Sequence, residues 1–217
     1  MRRMSVRALP LLVLPAARAT PWTAFLAAAG VGLAIVAVPA VFRVELTVED
    51  LVGLLRAAAV CGALGLAFLL DDPAARTIAT VPTPRPLRYA ARAGVILPAA
   101  AAWWALVLTI TGHGALLPLG GVTVEAAALG AVALAVGAVR LRSGDNGGIV
   151  AAPAVLVLVV AASRIPPHLA LYVPPGDERW AAAHHRWAAL LAAAVLVSVW
   201  AAVEPVRARS SMMTEID

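Results

Sequence analysis

Apolar residues run in long blocks along this chain, and polar residues collect in the short intervals between them. Six blocks stand out: Trp22–Phe42, Leu51–Leu70, Ala91–Ile110, Val122–Val139, Gly148–Ser163 and Ala183–Val203. A bilayer core is about 30 Å thick, so a helix that crosses it needs roughly 20 mainly apolar residues. Every block is at or near that length. The pattern predicts an all-α, polytopic membrane protein with six transmembrane helices and both termini cytoplasmic. A lead-in over 1–21, a helical domain over 22–204 and a tail over 205–217 complete the division.

Composition supports that reading. Of 217 residues, 62% are hydrophobic and 13% charged, against roughly 25% charged in a soluble domain. The polar intervals are too short for a separate soluble domain. The arginines set the expected orientation. Arg2, Arg3, Arg7, Arg18, Arg76, Arg85, Arg88, Arg92, Arg140, Arg142, Arg207 and Arg209 fall on one side of a six-span arrangement, and Arg43, Arg164, Arg179 and Arg186 on the other. Basic residues favour the cytoplasmic side, so the richer face is expected inside a cell membrane. The basic start, the Leu9–Leu14 run and the following Ala-Ala-Arg-Ala loosely suggest a signal peptide. That run is short and holds Pro10, so a basic segment lying along the membrane surface is the favoured reading.

Charge and residue usage exclude several functions. All 17 basic residues are arginine. A P-loop needs a lysine on the phosphates, and a Schiff base needs one on its carbonyl partner. If ATP drives this protein, another chain must bind it. The net charge of +5 comes from span-flanking arginines, so no nucleic-acid partner is expected. Cys61 is the single cysteine, which rules out an intrachain disulfide. No Gly-x-Ser-x-Gly or His-Glu-x-x-His occurs, and the chain is expected not to be an enzyme or to hold a cofactor.

The loops carry local signals. Thr47 reads as an N-cap ahead of Glu49 and Asp50 at the start of span two. Asp71-Asp72-Pro73 reads as a helix start, with a short helix expected over Pro73–Thr80. The prolines at 82, 84 and 86 should then hold that link extended. A tight turn is expected over Arg142–Gly148. In the longest outer loop, Asp177 is placed to cap a helix through Trp180 and Trp187, whose shared face suggests an interfacial aromatic belt.

Candidate chemistry is sparse. Arg56 lies inside span two, where an isolated charge is costly. Glu125 in span four is its best partner and Glu49 on the same helix the second. An Arg56–Glu125 pair would line a path or brace the bundle; the alternative is an arginine that snorkels outward. Trp103 and Trp104, deep in span three, could line an apolar route or pack between helices. His113, His168, His184 and His185 all map to the outer side. A metal site from three of them needs a geometry that the adjacent pair resists, since neighbouring helical residues point about 100° apart. Interfacial histidines without metal are the favoured reading. Glycines 30, 32, 62, 65, 130 and 137 would let helices approach closely, in a tight bundle or a dimer.

The six spans, the basic lead-in and the segment Phe68–Arg85 together resemble the permease subunits of ABC-2-type exporters, in particular small permease-like proteins of actinobacterial ABC gene clusters. In that family the matching segment holds a coupling helix that docks on the ATPase. The resemblance implies a permease partnered by an ABC ATPase and by a second copy or sister permease, with Asp71, Asp72, Pro73, Arg76 and Arg85 at the coupling contact. The family's re-entrant hairpin before the last span has no clear counterpart in the proline-rich Ile165–Arg186 stretch. Two further classes stay open: an assembly or regulatory membrane subunit, and a membrane enzyme using the outer histidines.

Overall fold

The computed structural model describes residues 17–18, 20–70, 85–111, 117–143 and 147–203. Among them the chain is all helical: α1 Trp22–Val41, α2 Val48–Leu69, α3 Arg85–Thr111, α4 Leu119–Ser143, α5 Gly148–Arg164 and α6 Trp180–Ala202, with one 3-10 turn over Pro167–Leu169. Five of the six are long and apolar enough to cross a membrane; α5, at 17 residues, is the short one. At 1.5 Å per residue it still spans about 26 Å. The segment that follows α5 packs beside the starts of α2, α4 and α6, so α5 returns the chain along the bundle. This is a multi-pass membrane protein.

Outward faces explain the medium. Val31, Val38, Leu97, Leu106, Val157, Val160, Leu196 and Val199 are large, apolar and exposed. In water such patches would drive association; against acyl chains they are at home. Lipid offers no hydrophobic gain for helix pairing, so close packing of small residues takes over. The central helix shows it. The buried face of α2 runs through Ala58, Ala59, Gly62, Ala63, Gly65 and Ala67, and α2 packs against α1, α3, α4 and α5. On the far side, α4 packs tightly on α6.

Helix ends follow from local chemistry. Thr47 and Asp50 form a reciprocal capping box at the start of α2. The end of α1 has no glycine. Instead Arg43 takes a left-handed φ of 51°, and Val44 N–H bonds Pro39 O while Arg43 N–H bonds Ala40 O, a Schellman closure. Two expectations about helix starts are corrected. Arg85 and Pro86 belong to the first turn of α3 rather than to an extended link, because a proline in a first turn sacrifices no helical hydrogen bond. Asp177 does not cap α6. The N-cap is Arg179, and the Asp177 carboxylate instead accepts the Arg179 N–H at 2.8 Å and its guanidinium. These bonds hold the carboxyl down to a pKa of about 2.

The expected Pro73–Thr80 helix, residues 82–84, the lead-in up to residue 16 and the tail from 204 lie outside the described residues. So do Asp71, Asp72, Pro73, Arg76 and His113.

Candidate functional site

Two features stand out in the bundle: a buried polar cluster near the starts of α2, α4 and α6, and an apolar cleft beside α3. The cluster begins with Arg56, two turns into α2. Its Nε donates to Glu125 Oε2 and its Nη2 to Glu125 Oε1, both at 2.8 Å. Nη2 also donates to the Val173 carbonyl at 2.9 Å. Glu125 is 1% exposed and Arg56 20% at the side chain. A fork-to-fork pair of this kind is the strongest geometry available to a buried arginine. Arg56 therefore does not snorkel, and exposed Glu49 is not its partner.

Aromatic rings close the cluster. The guanidinium carbon lies 5.0 Å from the Tyr172 ring centre and 5.8 Å from that of Trp180. A cation facing two rings in a dry site is held by their quadrupoles. The Tyr172 hydroxyl is buried with no hydrogen-bond partner. Burial, with the Glu125 charge added and Arg56 opposing, pushes its pKa up to about 12.

The third member is His184, one turn into α6. Its Nδ1 lies 2.8 Å from the Trp180 carbonyl, which can only accept, so Nδ1 carries a proton. Its Nε2 comes within 3.1 Å of Glu125 Oε1, out of line for a hydrogen bond. The ring lies against Trp180, tilted by 38° with the centres 4.2 Å apart. Gly121 makes room for it. A Cβ there would sit 2.6 Å from Nε2 and 2.9 Å from the Trp180 ring, so any side chain would displace the imidazole.

The belt reading of Trp187 is overturned. Trp187 is fully buried, its N–H donating to the Leu171 carbonyl at 2.9 Å and its ring 5.3 Å from Tyr172. Trp180 covers Arg56 and His184. Trp187 therefore does not belong to an interfacial belt, because the 165–179 segment folds over this end of the bundle and supplies the acceptor for its indole. His184 is half-buried against Glu125, whereas its neighbour His185 is exposed. Arg186 ties the same segment down through the Ala170 and His168 carbonyls. Among the described residues no three metal-ligating side chains come together. No sequence signal marks His184; its partner is 59 positions away and meets it only through helix packing.

The cleft lies between α3 on one side and α2, α4 and α6 on the other. It has a volume of about 480 Å³ and is lined by apolar and small residues, among them Leu66, Leu97, Gly130, Leu134 and Val195. The cleft exists because α3 leans on α1 and α2 and meets α6 only sparsely. Trp103 and Trp104 both line it. Trp103 is wedged against Gly32 and Gly62, with its N–H on the Ala29 carbonyl at 3.0 Å. Trp104 crosses the cleft to donate to Thr123 Oγ1 at 3.2 Å. Arg92 at the opposite end of α3 donates to the Leu70 carbonyl, the last acceptor of α2, at 2.9 Å. Arg56 and Glu125 do not line the cleft; they fasten α2, α4 and the 165–179 segment next to it.

No protein-family model, no curated protein and no solved structure matches this chain.

Proposed function

We propose that this chain is the permease subunit of an ATP-driven exporter in the cell membrane, working with a separate ATPase subunit. The observation that carries this reading is the cleft beside α3. A space of about 480 Å³ with an apolar lining fits an apolar or amphipathic molecule of small-drug size. Its movable wall would be α3, which is held to α1 and α2 by the Trp103 wedge and borders α4 and α6 more loosely. In sequence, residues 71–84 join the end of α2 to the start of α3. A partner acting on that link would tilt α3 and change the cleft. The absence of lysine from the whole chain leaves nucleotide hydrolysis to that partner.

In this reading Asp71, Asp72, Pro73, Arg76 and Arg85 form the coupling contact on the cytoplasmic face. Trp103 and Trp104 touch the substrate, and Arg56 with Glu125 braces the outer half of the bundle. A second copy or a sister permease would complete the exporter.

Mild-detergent capture of the tagged chain from its own membrane, with partners identified by mass spectrometry, tests the proposal. A co-purifying ATPase, lost when residues 71–80 are replaced by a Gly-Ser linker, supports it. A chain captured alone or with a partner that is not an ATPase sinks it and favours an assembly or regulatory subunit.

A further inference from the structure

We propose that Glu125 and His184, next to Arg56, form a proton-binding site that takes up one proton, on His184 Nε2 or on the Glu125 carboxyl, and holds it by the close contact of the two groups. The argument rests on the charge balance of two buried groups in contact. Nδ1 of His184 faces a carbonyl at 2.8 Å and must be the donor nitrogen. In the neutral ring Nε2 then carries a lone pair. That lone pair would sit 3.1 Å from a carboxylate oxygen, buried and without a hydrogen-bond partner. Two acceptors at this distance repel, and a dry surrounding magnifies the repulsion. One added proton turns it into attraction, whether it resides on the imidazole or on the carboxyl.

The neighbours set the balance of this site. Taking up a proton from water changes the summed charge of Arg56, Glu125 and His184 from zero to +1. The Trp180 ring, 4.2 Å away and tilted by 38°, favours a cationic imidazole. Arg56 from α2 and the positive start of α6 oppose it, which keeps the proton exchangeable rather than permanent. From the 165–179 segment the facing group is Tyr172, neutral across the physiological range. Asp177 is committed to Arg179. Glu49 and Asp50 sit at the exposed start of α2, two turns away, and Asp50 is bound to Thr47. Protonation would pull α6 towards α4; release would free them. The site thus ties the packing of three helices to the pH on one face of the membrane, whatever the protein moves.

Nitrogen-15 spectroscopy of the full chain in lipid nanodiscs tests this, with His184 assigned by replacing the other histidines in turn. At neutral pH either both ring nitrogens of His184 or the Glu125 carboxyl should carry the added proton. Glu125→Gln should weaken proton binding at His184 by about 10- to 1000-fold, the usual effect of removing an adjacent opposite charge. A wild-type ring that is neutral with its proton on Nδ1 alone, with no proton on Glu125, overturns the proposal. So does a proton affinity unmoved by Glu125→Gln. If that variant does not fold, His184→Gln serves instead. The wild-type unfolding temperature should vary across the imidazole range and the variant's should not; superimposable profiles overturn the site.

Discussion

The ring of Trp103 occupies the space that a side chain at Gly62 would need. A Cβ on Gly62 would overlap the ring, and one on Gly32 would sit 2.9 Å from its Cζ2 atom. The indole also donates to the Ala29 carbonyl, so one side chain holds α3 against both α1 and α2. Gly62→Ala should therefore cost about 1–3 kcal/mol, as overpacking does, and should shift α3 at the cleft. Gly30→Ala, where nothing lies within 4 Å, should be close to neutral. Thermal unfolding of both variants in one detergent checks the contrast; equal losses would contradict the wedge.

The Arg56–Glu125 pair should show the asymmetry of buried ion pairs. Removing one partner strands the other charge, so Glu125→Ala should destabilise by about 3–5 kcal/mol. Replacing both, as Arg56→Met with Glu125→Leu, should recover most of that loss. A double variant no better than the single one would mean that the bond from Arg56 to Val173 matters more than the pair.

Tyr172 gives a pH prediction. Its hydroxyl is buried and unpartnered, so Tyr172→Phe should be neutral or stabilising by up to about 1 kcal/mol. The phenol is pushed up to about 12, above the usual value of about 10. The folded state thus binds this proton more tightly. Its contribution is complete below the ordinary phenol value and is lost as pH rises from there to about 12. Tyr172→Phe should remove that alkaline loss, which pH-dependent unfolding of both proteins would reveal.

Arg43 holds a left-handed φ of 51° at the end of α1, a conformation that costs an arginine and not a glycine. Arg43→Gly should stabilise the chain by roughly 0.4–1 kcal/mol. A loss of stability would show that the arginine side chain contributes more than its backbone strain costs.

Much of the architecture was legible along the chain because lipid imposes a simple rule. A span must be long, apolar and hydrogen-bonded within itself, so length and hydropathy alone place α1 to α4 and α6. Helix ends were less legible. Thr47 reads correctly because capping is local, whereas Asp177 reads as a cap but binds the backbone and side chain of Arg179. Arg56 invited a partner because a buried charge needs one, and Glu125 lay at a matching depth. His184, Tyr172 and the Val173 carbonyl gave no such sign. Their roles arise where the 165–179 segment folds back over three helix starts.

Length, hydropathy and residue type establish that this protein crosses a membrane as a helical bundle, carries an arginine needing an acid and contains no lysine. Each follows from residue type, spacing or absence, which need no partner in space. Helix packing makes Trp187 core, sets His184 against Glu125 and opens a cleft beside α3. Those facts depend on which faces of α2, α3, α4 and α6 meet. With both faces of every helix apolar, periodicity does not reveal that choice; the fit of small residues against Trp103, Leu66 and His184 makes it.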